Sequence, residues 1–63
     1  MTPEQRRTLY GHLSDAIPHL RAAKALALKS RCFLVHGRLD EAHYGVLDSM
    51  GAIQQEMDDA SDV

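Results

Sequence analysis

The sequence predicts an all-α fold, an antiparallel helical hairpin, on three observations. A capped helix start stands at TPEQ, two apolar seams recur at alternating spacings of four and three, and the break HGR separates them. In the opening, Thr2 is the N-cap, Pro3 takes the first helical position, Glu4 lies in the first turn and Gln5 completes a capping box. Leu9, Leu13, Ala16, Leu20, Ala23, Ala27, Ser30 and Leu34 then form a heptad seam with a small-residue middle, which lets a neighbouring helix approach closely.

A second seam follows in Leu39, His43, Val46, Met50, Ile53 and Met57. Between the two, Gly37 suits the left-handed position that ends a helix, His36 sits in a last turn and Asp40 is a ready N-cap. These signals predict a single helical domain over residues 1–57, with a helix over 3–36, a turn at 37–39, a helix over 40–57 and an acidic tail over 58–63. A turn that short makes the helices antiparallel neighbours, and pairing about Gly37 brings Arg21 near Glu56 and Lys29 near Asp48.

The two predicted helices are unequal. Residues 3–36 span about 51 Å and residues 40–57 about 27 Å, so the first fifteen or so positions have no partner within a straight hairpin. Pro18 offers two outcomes, because it lacks an N–H and clashes with the preceding turn. Either the first helix kinks at Pro18 and its overhang packs in a homodimeric bundle, or residues 3–16 fold back as the first of three helices in a monomer. The seam keeps its phase from Ala16 to Leu20, which favours the kinked dimer. Association is also favoured by Leu26 and Phe33, which form an apolar wall away from the seam that one companion helix cannot cover.

Composition narrows the class of function. At 63 residues the chain has one small core, and its single Cys32 excludes an internal disulfide. The lack of a secretion pattern and of an apolar run of membrane-spanning length predicts a cytoplasmic protein with no membrane partner. Charge is polarised: Arg6, Arg7, Arg21, Lys24, Lys29, Arg31 and Arg38 all lie in residues 1–38 with only Glu4 and Asp15 against them, while residues 39–63 hold acids alone.

Cys32, His36, Asp40 and His43 are all zinc-ligand types, but the spacing Cys-x3-His-x3-Asp-x2-His matches no specific zinc pattern. Each has an ordinary role in a helix, a cap or a seam, so no metal and no cofactor are expected. The Cys32–His36 pair lacks a third group to orient a base, and a chain this small has little room for a pocket, so no enzyme is expected. His12 and His19 share one helix face and read as solvated side chains.

The segment GRLDEAHYGVL resembles the turn and second-helix start of a tetratricopeptide repeat, with Gly37 at the turn, Ala42 at the small packing position and Phe33 as the large residue before the turn. Lys29 and Ser30 replace the usual Leu-Gly pair, Ser49 replaces Ala, the closing Pro is absent and one repeat cannot stack. The resemblance therefore implies only a tight helix–helix turn. In architecture the chain is similar to the small dimeric helical hairpins encoded by plasmids and phages, including the RNA-binding Rop type, which implies a mobile-element or phage origin.

The resulting expectation is a non-enzymatic interaction module that binds a larger protein and regulates or inhibits it, with Tyr10, Arg21, Leu26, Phe33 and Tyr44 as its contact residues. The alternative is a dimeric nucleic-acid-binding regulator that uses Arg6, Arg7, Arg21, Lys24 and Arg31 of the basic first helix.

Overall fold

In the computed structural model, which describes the backbone of residues 1–61 and the side chains of residues 1–59, two helices pack against each other as a hairpin. α1 runs Pro3–Lys29 and α2 runs Phe33–Ser61. The first start signal is realised in full. The Thr2 hydroxyl accepts from the Gln5 N–H at 3.1 Å, and the Gln5 side-chain oxygen accepts from the Thr2 N–H at 2.8 Å, so two of the orphan donors of the helix end are satisfied reciprocally.

The bend lies at residues 30–32, not at the expected 37–39. Ser30 ends α1, and Arg31 takes a left-handed conformation with φ 58°. The Arg31 N–H donates to the Leu28 carbonyl at 3.1 Å and the Cys32 N–H to the Ala27 carbonyl at 2.8 Å. These two bonds make a complete Schellman motif, with arginine where glycine is usual. Gly37 lies within α2, and so does Asp40, the residue expected to cap it. Nor does the tetratricopeptide-like reading of Gly37 as a turn residue hold.

Length matching explains the shift. With the bend near residue 31 the helices hold 27 and 29 residues, about 40 and 43 Å, so nearly every turn of one faces a turn of the other. A bend at Gly37 would strand about four turns of α1 without a partner. Against that loss, Gly37 inside a helix costs only about 1 kcal/mol relative to alanine, and a left-handed Arg31 costs about 1–2 kcal/mol. Arg31→Gly is accordingly expected to stabilise the hairpin by about 1 kcal/mol, read as a raised urea midpoint with an unchanged slope.

The helix α1 continues unbroken through Pro18. Residues 3–16 therefore do not fold back as a separate helix, and the three-helix alternative is overturned. The second seam is borne out along its length: Leu39, His43, Val46, Met50 and Met57 are half-buried, Ile53 is buried, and His36 extends the same row toward the bend. On α1 the covered row is Arg6, Tyr10, Leu13, Ile17, Leu20, Lys24 and Ala27, flanked by Ala16 and Ala23. Leu9 and Leu34, assigned to the first seam, are exposed, and Ser30 belongs to the turn. The first seam thus holds in its middle and fails at its ends: α1 stops seven residues early, and at its start the covered row runs through Arg6 and Tyr10, one position beyond Leu9.

The expected Arg21–Glu56 and Lys29–Asp48 pairs are replaced. Glu56 lies 3.6 Å from the Arg6 guanidinium, and Asp40 pairs with Lys24 at 3.2 Å. The supposed tail is helical through Ser61, and residues 62–63 lie outside the described residues. Gln54 and Gln55 donate one turn ahead to Asp58 and Asp59, at 3.1 and 3.0 Å. Such pairs support a helix end whose carboxylates oppose its macrodipole.

Candidate functional site

The hairpin is a rod of 50 × 15 × 13 Å, and two surfaces along it merit attention. The first is a polar cluster inside the helix–helix contact. Lys24 projects from α1 across to α2, where its ammonium donates to Asp40 Oδ1 at 3.2 Å and meets His43 Nδ1 at 2.6 Å. An ammonium can only donate, so Nδ1 accepts and the ring proton lies on Nε2. The Tyr44 ring stacks beside His43 with centroids 6.4 Å apart and planes within 20°.

This arrangement spends the residues that a metal site would need. Asp40 and His43 both face Lys24, Cys32 is exposed in the turn, and no group of three His, Cys, Asp or Glu side chains converges among the described residues. The cluster instead fixes the register of the two helices. Lys24→Ala is expected to cost about 1 kcal/mol, a charge-assisted pair discounted for the 41% exposure of the Asp40 side chain. Lys24→Met, which retains the apolar stem, should cost less, and chemical unfolding of both variants compares them.

The second surface is the bend itself. Leu26, Leu28, Phe33, Leu34 and Val35 are all large, apolar and exposed, from 52% at Val35 to 77% at Leu34. They come from the last turn of α1 and the first turn of α2, so the Schellman turn gathers them at one end of the rod. By contrast, only Ala27 and Ile53 are buried among the described hydrophobic residues. Apolar area concentrated outside the core is a general feature of protein, ligand and membrane contact sites.

Of the expected contact residues, Leu26 and Phe33 lie at this tip, Arg21 and Tyr44 are exposed further along the rod, and Tyr10 is half-buried between the helices. The tip therefore unites two of the five. Leu28, Leu34 and Val35 were missed, although the run FLV signalled the last two: three consecutive apolar residues cannot all face one partner helix.

The basic residues are likewise divided. Arg6 and Lys24 are turned into the contact with α2, whereas Arg7, Arg21 and Arg31 are exposed. Arg6 Nε is buried with no hydrogen-bond partner, and its 3.6 Å approach to Glu56 is an ion pair without a hydrogen bond.

A shallow, open depression follows Thr2, Glu4, Gln5, Thr8, Leu9 and His12. Thr2 caps α1 and the other five lie in its first three turns, so among the described residues no second element closes over the depression. No described helix is long and apolar enough to cross a membrane. The chain matches no protein-family model, no curated protein and no solved structure.

Proposed function

We propose that this protein is a non-enzymatic interaction module that docks the apolar tip of its hairpin on a larger protein and regulates or inhibits it. The observation that supports the reading is the clustering of Leu26, Leu28, Phe33, Leu34 and Val35, all exposed, at one end of a rod with a minimal core. Such a tip can insert into a concave groove as a pair of helix ends. Helices that dock in a groove do so through apolar anchors on one face. An aromatic anchor such as Phe33 with a neighbouring arginine or tyrosine carries a large share of the binding free energy in many interfaces. Tyr44 and Arg21 extend the contact surface along the rod, and Tyr10 holds the helices together behind it.

The test is affinity capture by the intact chain compared with a Leu26→Asp, Leu34→Asp variant. Both positions are exposed, so the variant keeps its fold. A protein recovered in stoichiometric amount by the natural sequence and lost by the variant supports the reading. Equal recovery by both, or recovery of nucleic acid without protein, overturns it. The latter outcome would favour the basic helix as a nucleic-acid surface, with binding that weakens steeply as salt rises.

A further inference from the structure

One hairpin leaves too much surface uncovered for its mass. The chain exposes 4843 Å², whereas a globular monomer of 7.0 kDa exposes about 4,000 Å². The excess, about 800 Å², equals what each partner contributes to a standard protein–protein interface. The radius of gyration of 14.7 Å exceeds the roughly 11 Å of a compact chain of this length. Both quantities are those of an elongated hairpin whose outer faces are uncovered.

The face a partner would cover can be read from the seams. In helices of 3.6 residues per turn, each residue stands about 100° beyond the one before. In an antiparallel pair the residues just after each seam position fall on the same side of both helices. On α2 this row passes through Gly37, Asp40, Tyr44, Leu47, Gly51 and Asp58, and Phe33 begins it at heptad spacing; on α1 it passes through Arg7 and Arg21 and ends at Leu28 beside the bend, its single large apolar residue. Phe33 and Tyr44 remain more than 60% exposed, Leu28 and Leu47 are also exposed, and a Cβ built at Gly37 or Gly51, as at Gly11 and Gly45, meets nothing within 4 Å. The row on the opposite side of the seams holds only Leu9, Leu26 and Val35 as large apolar residues. Large side chains beside gaps at glycine suit close packing of another helix pair.

We infer that this face binds a second copy of the chain, with the two bends at the same end, to give a four-helix bundle about a two-fold axis parallel to the helices. The inference rests on the interaction reading and names one partner of the rod. Two features select this orientation. It sets the basic helix α1 over the partner's acidic α2, at levels that bring Arg21 toward the partner's Asp40 and Arg7 toward the partner's Asp58. It also places the apolar bends side by side, so that Leu28 and Phe33 pass into the dimer face while Leu26, Leu34 and Val35 of both copies remain as the docking tip. The reverse orientation would lay Leu28 and Phe33 against the charged open end.

Sedimentation equilibrium of the full chain is expected to give twice the 7.0 kDa chain mass at micromolar concentration, and the chain mass at every concentration overturns the inference. Cys32, exposed in the turn, supplies the orientation test. Pyrene attached there is expected to show excimer emission in the dimer, and a dimer without excimer overturns the side-by-side bends.

The face is tested by Gly37→Gln with Gly51→Gln, which raises helix propensity and so separates loss of association from loss of fold. It is expected to weaken association by about tenfold or more with helical circular dichroism retained, while Ala42→Gln with Gly45→Gln on other faces leaves the mass unchanged. The reverse pattern overturns the choice of face. A monomer that still captures a protein through Leu26 and Leu34 would end this inference and leave the proposed function standing.

Discussion

Replacing Pro18 with alanine is expected to raise the stability of the hairpin by about 2 kcal/mol. Proline inside a helix removes one main-chain hydrogen bond and presses its ring on the carbonyl four residues earlier, at a cost of about 3 kcal/mol relative to alanine. Pro18 pays this in the middle of α1 while exposed, so alanine forfeits little packing. The restored N–H gains the Ser14 carbonyl as its partner. Part of the gain is returned, because proline also restricts the unfolded chain by about 0.4–1 kcal/mol.

Urea unfolding followed by helical circular dichroism, at equal protein concentrations, measures the difference. A variant no more stable than the natural sequence would show that a bend at Pro18 is needed to keep Arg6, Tyr10 and Leu13 against α2. The kinked first helix proposed from the sequence would then be a condition of pairing, not a tolerated defect.

The second large effect is expected at Ile53. It is one of two buried hydrophobic residues among those described, at 7% exposure, and the register set by the Arg6–Glu56 and Lys24–Asp40 pairs places it near the level of Tyr10 and Leu13. Ile53→Ala should cost about 2–4 kcal/mol through lost transfer free energy and the void left behind. A chain of 63 residues has a total stability of only about 3–9 kcal/mol, so the loss is a large fraction of the whole and should show as a clearly lowered urea midpoint. Leu34→Ala, a change of the same chemistry at an exposed position, should shift stability by less than about 0.5 kcal/mol. Similar losses from both would mean that Leu34 is covered and that the tip is not a docking surface.

Arg31 and Gly37 show why the position of the bend was not legible in the sequence. Read locally, glycine belongs in the left-handed turn position and arginine belongs in a helix. The structure reverses the two assignments. Each reversal costs about 1–2 kcal/mol, and matching the helices along about 40 Å offsets both. The unequal lengths predicted from the sequence, about 51 against 27 Å, already carried the contradiction. Moving the bend by six residues removes it without a third helix.

The same shift explains the gains and losses at the candidate site. Leu26 and Phe33 were identified because they stand away from the seam. Leu28, Leu34 and Val35 were missed because a helix continuing to His36 spreads them around its circumference, whereas a bend at Arg31 gathers them at one end. Lys24 was grouped with exposed bases for lack of a register. Only the pairing of α1 with α2 brings it to Asp40 and His43, sixteen and nineteen residues away.

By itself the sequence determined the helical class, the capped start at Thr2 and the phase of the second seam. These depend on interactions within a few residues, the hydrogen bonds of a cap and the recurrence of apolar side chains every three or four positions. Only the tertiary structure decided where the chain reverses, which charges meet and which apolar side chains remain uncovered. Those depend on burying one seam against another along its whole length, a free energy summed over many residues that outweighs the preference of any single one for its local conformation.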